Sequence, residues 1–151
     1  MKKKIIFTSG AFDLLHKGHI LILQRAKALG DVLIVGVSTN ALIKSYKGVN
    51  PVLNYTQRVS VIKELRCVDK VVKQSILIDI EQFKALKCDM FVIGDDWKGK
   101  ENSVPGLKWL KDNNYLHYLP YTKSLSTTYI KEKIIANAVP ILKAQRKKCK
   151  R

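Results

Sequence analysis

The stretch KIIFTSGAFDLLHKGHILILQRAKALGDVLIVGVS, Lys4 to Ser38, changes its hydrophobic period twice. Lys4 to Ser9 is a short β-branched run. From about Gly18 to Leu29, Ile20, Leu23 and Ala26, joined by Leu21 and Ala28, give one broad apolar face at helical spacing. Gly30-Asp31 closes that helix and Val32 to Ser38 reads as a second strand. Strand, helix, strand is the repeating unit of an α/β fold.

The alternation continues to the far end. A polar loop runs through NALIKSYKGVNPVLN, and is long enough to carry a function. YTQRVSVIKEL follows as a helix with Thr56 as its N-cap, and KVV as a third strand. Ile78 to Leu86 reads as a helix, MFVIG as the fourth strand, and PGLKWLKDN as a helix with Pro105 near its start. YLHYLP is the fifth strand and STTYIKEKIIANA the last helix. The prediction is a doubly wound, Rossmann-like, mostly parallel five-stranded sheet with helices on both faces. In such sheets ligands bind beyond the carboxyl ends of the strands, where strand order reverses.

The 151 residues fit one domain, over 1–138, followed by a basic tail over 139–151 that reads as frayed or disordered. The formal net charge of +16 is large and sits partly at the ends, in Lys2 to Lys4 and in KAQRKKCKR, Lys143 to Arg151. Such charge suits a phosphorylated substrate, an anionic membrane or nucleic acid. The tail lacks the interleaved aromatics of a base-stacking surface, so nucleic acid is not the expected partner. Cys67, Cys88 and Cys149 are far apart, odd in number and without C-x-x-C spacing, which argues against a disulfide framework and a structural zinc. The apolar runs are too short for a signal-peptide core or a membrane span. A cytoplasmic protein without membrane insertion is expected.

Gly10 to His19 is the first strand-to-helix loop, and it carries two of the three histidines. Gly10 and Gly18 admit close backbone approach, and the helix start favours an anion. The glycines match neither the dinucleotide fingerprint nor the P-loop. Gly94 to Lys100 imitates a P-loop, but Glu101 stands where a magnesium-binding hydroxyl belongs and Asp95 and Asp96 would repel phosphate. Spacing alone leaves three readings of His16 and His19: one core and one surface residue, a metal pair lacking ligands beyond Asp13, or two donors to a phosphate chain.

The motifs choose among these. GAFDLLHKGH resembles the signature of the H-x-G-H nucleotidyltransferase superfamily, carried here as His16-Lys17-Gly18-His19. LRCVDKV is similar to the family's R-x-V-D segment, GDDWKGK to a segment of glycerol-3-phosphate cytidylyltransferases, and SLSTTYIKEKI to their second signature. The resemblance spans about Ile5 to Ala136.

It implies attack by an acceptor's phosphate oxygen on the α-phosphate of CTP, with pyrophosphate leaving. The acceptor implied is glycerol 3-phosphate and the product CDP-glycerol, for cell-surface polymer synthesis. The nucleophile is already anionic, so catalysis reduces to positioning and charge neutralisation. By resemblance, His16, His19 and Lys47 are catalytic, Lys47 being preferred over Lys44. Ser9, Gly10, Ala11, Phe12, Gly94, Tyr121, Ser126, Thr127 and Thr128 would bind nucleotide; Asp13, Arg66, Asp69, Asp95 and Trp97 would face the acceptor, with Asp13 alternatively ordering the loop. Tyr121 stands where the family commonly has arginine, with Lys123 nearby as a substitute cation. The sequence offers no carboxylate cage, so Mg2+ would ride mainly on the nucleotide phosphates. Relatives are commonly homodimers. Alternatives are cytidylyl or adenylyl transfer to another phosphorylated acceptor, such as a sugar, polyol or amino-acid derivative, and a basic nucleic-acid- or membrane-binding module with little catalysis.

Overall fold

The computed structural model describes residues 2–120, 122 and 126–148. The strands are β1 (Ile5–Gly10), β2 (Val32–Ser38), β3 (Lys70–Gln74), β4 (Met90–Gly94) and β5 (Leu116–Leu119). The helices are α1 (Lys17–Lys27), α2 (Asn40–Lys47), α3 (Tyr55–Lys63), α4 (Ile80–Ala85), α5 (Pro105–Asp112) and α6 (Thr127–Lys148). One sheet runs β3-β2-β1-β4-β5 with every pairing parallel. The α/β doubly wound expectation holds.

Residue alternation builds the two faces. Ile6, Leu33, Val35, Val37 and Val92 point to one side, packing with Leu23 and Ala26 of α1 and Ile62 of α3. Phe7, Ile34, Phe91 and Ile93 point to the other, packing with Phe83 of α4 and Leu107 and Leu110 of α5. Strands buried on both faces read as nearly unbroken apolar runs, which is why VLIVGVS and MFVIG are so plain in the sequence.

Three local expectations need correction. The loop after β2 contains a helix, α2, whose N-cap Thr39 accepts the Leu42 N–H at 3.1 Å and which ends at Gly48 with φ 73°. The polar exposed face of this short helix hid its period, leaving Ile43 as its buried residue. Helix α3 is capped by Asn54 rather than Thr56: Asn54 Oδ1 accepts the Gln57 N–H while Gln57 Oε1 accepts the Asn54 N–H. Helix α6 does not stop at Ala138 but runs through Pro140 to Lys148, so most of the expected frayed tail is helical. The carbonyl of Ala136, which Pro140 cannot serve, belongs to an exposed residue with access to water.

Candidate functional site

β1 pairs with β2 on one side and β4 on the other, so the chain leaves the sheet in opposite directions at the carboxyl ends of β1 and β4. A cavity of about 330 Å³ opens there. Its floor is Thr8 to Phe12 and Ile93-Gly94, one wall is α1 with His16, Gly18 and His19, and another is the start of α6.

The histidines are built into the helix start. His16 is the N-cap of α1, its Nδ1 accepting the Gly18 N–H at 3.1 Å. His19 Nδ1 accepts the His16 N–H at 3.4 Å, closing a reciprocal capping box in which imidazoles replace the usual hydroxyl and carboxylate. With both Nδ1 atoms accepting, the neutral rings carry their proton on Nε2. Burial lowers the proton affinity of both, and the neighbouring His16 and Lys47 help drive His19 down to about 4. The rings are therefore neutral donors at pH 7, stacked with centroids 3.8 Å apart. Phe12, at φ 49°, sets its ring edgewise on His19 at 5.5 Å.

Asp13 lies beneath this loop, buried and lining the cavity. Its carboxylate accepts the Val52 and Leu53 N–H groups at 2.9 and 3.0 Å, and Lys131 stands 3.4 Å away. Burial pushes its pKa up, but the Leu53 and Val52 N–H groups and Lys131 outweigh that and hold the carboxyl below its ordinary value. Both oxygens thus tie the walls together, as the loop-ordering alternative has it, while the residue also lines the cavity. Arg58, fully buried, does the same with charge inside: it donates to Leu53 O, Ala11 O and Asn40 Oδ1.

Lys47 lines the cavity and Lys44 does not. At α6, Ser126 Oγ accepts the Tyr129 N–H at 3.1 Å and Thr127 Oγ1 donates to Asp13 O at 2.8 Å; both line the cavity with Thr128. Among the described residues no three His, Cys, Asp or Glu side chains gather where an ion could sit.

Ser9, Gly10, Ala11, Phe12, Gly94 and Trp97 also line the cavity, where the motifs placed them. Arg66 and Asp69 do not. Asp69 precedes β3, at the opposite edge of the sheet, where its Oδ2 accepts the Leu33 N–H and the Lys27 ammonium, each at 2.6 Å. It clasps β2 to α1, and neither it nor the exposed Arg66 lines the acceptor space. Asp96, not Asp95, is the acidic residue of the β4–α5 connection at the cavity. Tyr121 lies outside the described residues. Glu101, the residue that spoils the P-loop, is buried and accepts from Tyr118 Oη at 2.7 Å and Lys111 Nζ at 3.0 Å, which together hold its carboxyl at about 2. It fastens the β4–α5 connection to β5.

The sequence reading missed Ser38, Gln74 and Tyr46, which line the end of the cavity under β2 and β3. Ser38 Oγ donates to Gln74 Oε1 at 2.8 Å, and Gln74 Nε2 donates to Leu77 O at 2.7 Å. Both sit at carboxyl ends of strands, the position that the crevice rule marks for ligand contact.

Residues 7–133 match the cytidylyltransferase-like family. The chain belongs to that family. This cytidylyltransferase-like chain is 43% identical over 138 residues to glycerol-3-phosphate cytidylyltransferase of Bacillus subtilis, covering 87% of this chain and 97% of the relative. It is 44% identical over 134 residues to the bifunctional protein HldE of Helicobacter pylori, covering 88% of this chain but 28% of HldE. The chain thus spans little more than a quarter of that relative's length. A lipopolysaccharide core biosynthesis protein from Thermoplasma volcanium superposes with a TM-score of 0.66 at 27% identity, covering 82% of this chain and all of the other. A putative nicotinate-nucleotide adenylyltransferase from Vibrio parahaemolyticus shares the fold, with a TM-score of 0.63 at 16% identity and coverage of 90% and 89%. Membership of the cytidylyltransferase-like family agrees with the resemblance that the motifs carried.

Proposed function

We propose that the domain transfers CMP from CTP to glycerol 3-phosphate, releasing pyrophosphate and CDP-glycerol. The observation that carries this reading is the His16–His19 capping box, which leaves two Nε2–H donors on rings that line the crevice. A phosphate oxygen of the acceptor attacks the α-phosphorus, the bond to the β-phosphate bridging oxygen breaks, and pyrophosphate carries the electron pair away. An acceptor phosphate dianion needs no general base. The chain's part is to align the two substrates and meet the charge that grows on the transferred and leaving oxygens.

In this reading His16 and His19 donate to phosphate oxygens, Lys47 supplies a positive charge, and the N–H groups at the starts of α1 and α6 complete the cradle. Magnesium neutralises charge on the triphosphate when bound. Among the described residues no three His, Cys, Asp or Glu side chains gather into a cage for it, and Asp13 already accepts from Val52 and Leu53, so in this reading the nucleotide phosphates themselves would be its main ligands.

A second reading is transfer to a sugar phosphate, from CTP or ATP. It is supported by the likeness, at 27% identity, to a protein named for lipopolysaccharide core biosynthesis. Pyrophosphate release measured for CTP and ATP against glycerol 3-phosphate and a panel of sugar 1-phosphates decides. CTP with glycerol 3-phosphate as the fastest pair is the expected result; a sugar phosphate used faster overturns the acceptor, and ATP used faster overturns the base.

A further inference from the structure

Helix α6 leaves the domain after its first turns. Thr127 and Lys131 hold it to Asp13, through the hydroxyl bond at 2.8 Å and the ion pair at 3.4 Å. From Glu132 to Ile141 every residue except Ala138 is exposed, and the helix continues to Lys148. Twenty-two residues at 1.5 Å each make a rod of roughly 33 Å, held to the domain near its start by Thr127 and Lys131. In proteins most helical stability comes from packing an amphipathic face rather than from propensity, so such a rod calls for a surface to lie against.

Two properties of the rod specify that surface. Ile134, Ile135, Val139 and Ile141 are 55%, 62%, 41% and 59% exposed. At 100° per residue they fall within an arc of about 160° centred near Ala138, while Glu132, Lys133 and Asn137 lie outside it. From Thr127 to Arg151 the sequence also has eight lysines and arginines against one acid, Glu132. The apolar arc favours a low-dielectric phase and the charge favours anions. A second copy meets the first need but brings the same positive charge against it. Nucleic acid meets the second but leaves the isoleucines in water. An anionic lipid surface meets both.

We propose that α6 beyond Lys131 lies in the interface of an anionic bilayer, with Ile134, Ile135, Val139 and Ile141 toward the acyl chains and the net positive charge of the segment drawing it to the anionic surface. The helix lies on the membrane and does not cross it, since among the described residues no helix is long and apolar enough to span one. The surface is separate from the cavity, so the domain works at the membrane face while its substrates enter from water.

The test is flotation of the full chain with vesicles of phosphatidylcholine alone or with phosphatidylglycerol added, at low and high salt. Binding is expected only to the vesicles containing phosphatidylglycerol and falls at least about tenfold at high salt. Ile134→Ser with Ile135→Ser should weaken it about tenfold or more without changing pyrophosphate release, because neither side chain lines the cavity. Val139→Ser with Ile141→Ser is the independent second variant, and circular dichroism checks the helix in each. Three outcomes overturn the proposal: no binding to the anionic vesicles, binding that survives both double substitutions, or a dimer that sedimentation shows to depend on these four residues.

Discussion

The imidazoles of His16 and His19 stack 3.8 Å apart and 26° from parallel, each ring spending its Nδ1 on the first turn of the helix that carries both. One pair of side chains thus serves stability through one nitrogen and the proposed chemistry through the other. Those roles separate by substitution. His16→Ala or His19→Ala should cost about 1 kcal/mol of stability as a lost cap and about a hundredfold or more in turnover. His16→Asn restores a capping acceptor without the Nε2 donor, so it should recover the melting temperature and leave turnover low. Recovery of both by asparagine would remove His16 from the chemistry.

The neutral state of His19 has a pH signature. Its pKa in the fold is about 4, below the ordinary imidazole value of 6.5, so the unfolded chain takes up this proton more readily than the folded one. Its contribution to stability is whole above about pH 6.5 and is lost as pH falls toward about 4. Following the ring Cε1 proton by NMR should give a midpoint near 4 for His19. A midpoint near 6.5 would mean the ring is solvated and not committed to the capping box.

Lys47 and Lys44 can be told apart, since one lines the cavity and the other does not. Lys47→Met should lower kcat/KM by about ten- to a hundredfold, as expected for a lost charge-assisted contact to phosphate, while Lys44→Met stays near the parent. Equal losses in both would place the effect in the general field of the loop.

Asp13 should be intolerant of its nearest isostere. In Asp13→Asn one carboxylate oxygen becomes an amide N–H₂ facing the Val52 or Leu53 N–H, a donor against a donor, and Lys131 loses its counter-charge. A loss of about 1 to 3 kcal/mol in urea unfolding is expected, with turnover falling as the α2–α3 connection shifts. Unchanged stability with lower turnover would return Asp13 to a direct acceptor role.

The central strands β2 and β4 were legible because each is buried on both sides and reads as an apolar run. The HKGH stretch was legible because its glycine and two histidines lie where β1 hands over to α1. Asp69 shows the limit of motif reading: a segment shared with a family says that the residue matters, not at which edge of the sheet it stands. Its place follows from directly preceding β3, where the amino edge must be, yet the resemblance carried it to the carboxyl edge. Ser38 and Gln74 failed in the opposite way, as strand-end residues without any motif. Arg58 could not be read at all, since nothing local tells a surface arginine from one whose three nitrogens find Leu53 O, Ala11 O and Asn40 Oδ1.

The bond from Thr127 Oγ1 to Asp13 O joins residues 114 positions apart. A contact of such separation can form only once both segments have been made and the long loop between them closes. During synthesis, β1 and β2 can pair while β4 is still being made, but the wall that α6 gives the crevice arrives only when nearly the whole domain has left the ribosome. A chain stopped at Pro120 would hold the histidines and all five strands and still lack a closed site. Synthesis of the chain therefore sets a clock on the crevice: its last wall is made with the final helix, not with the sheet.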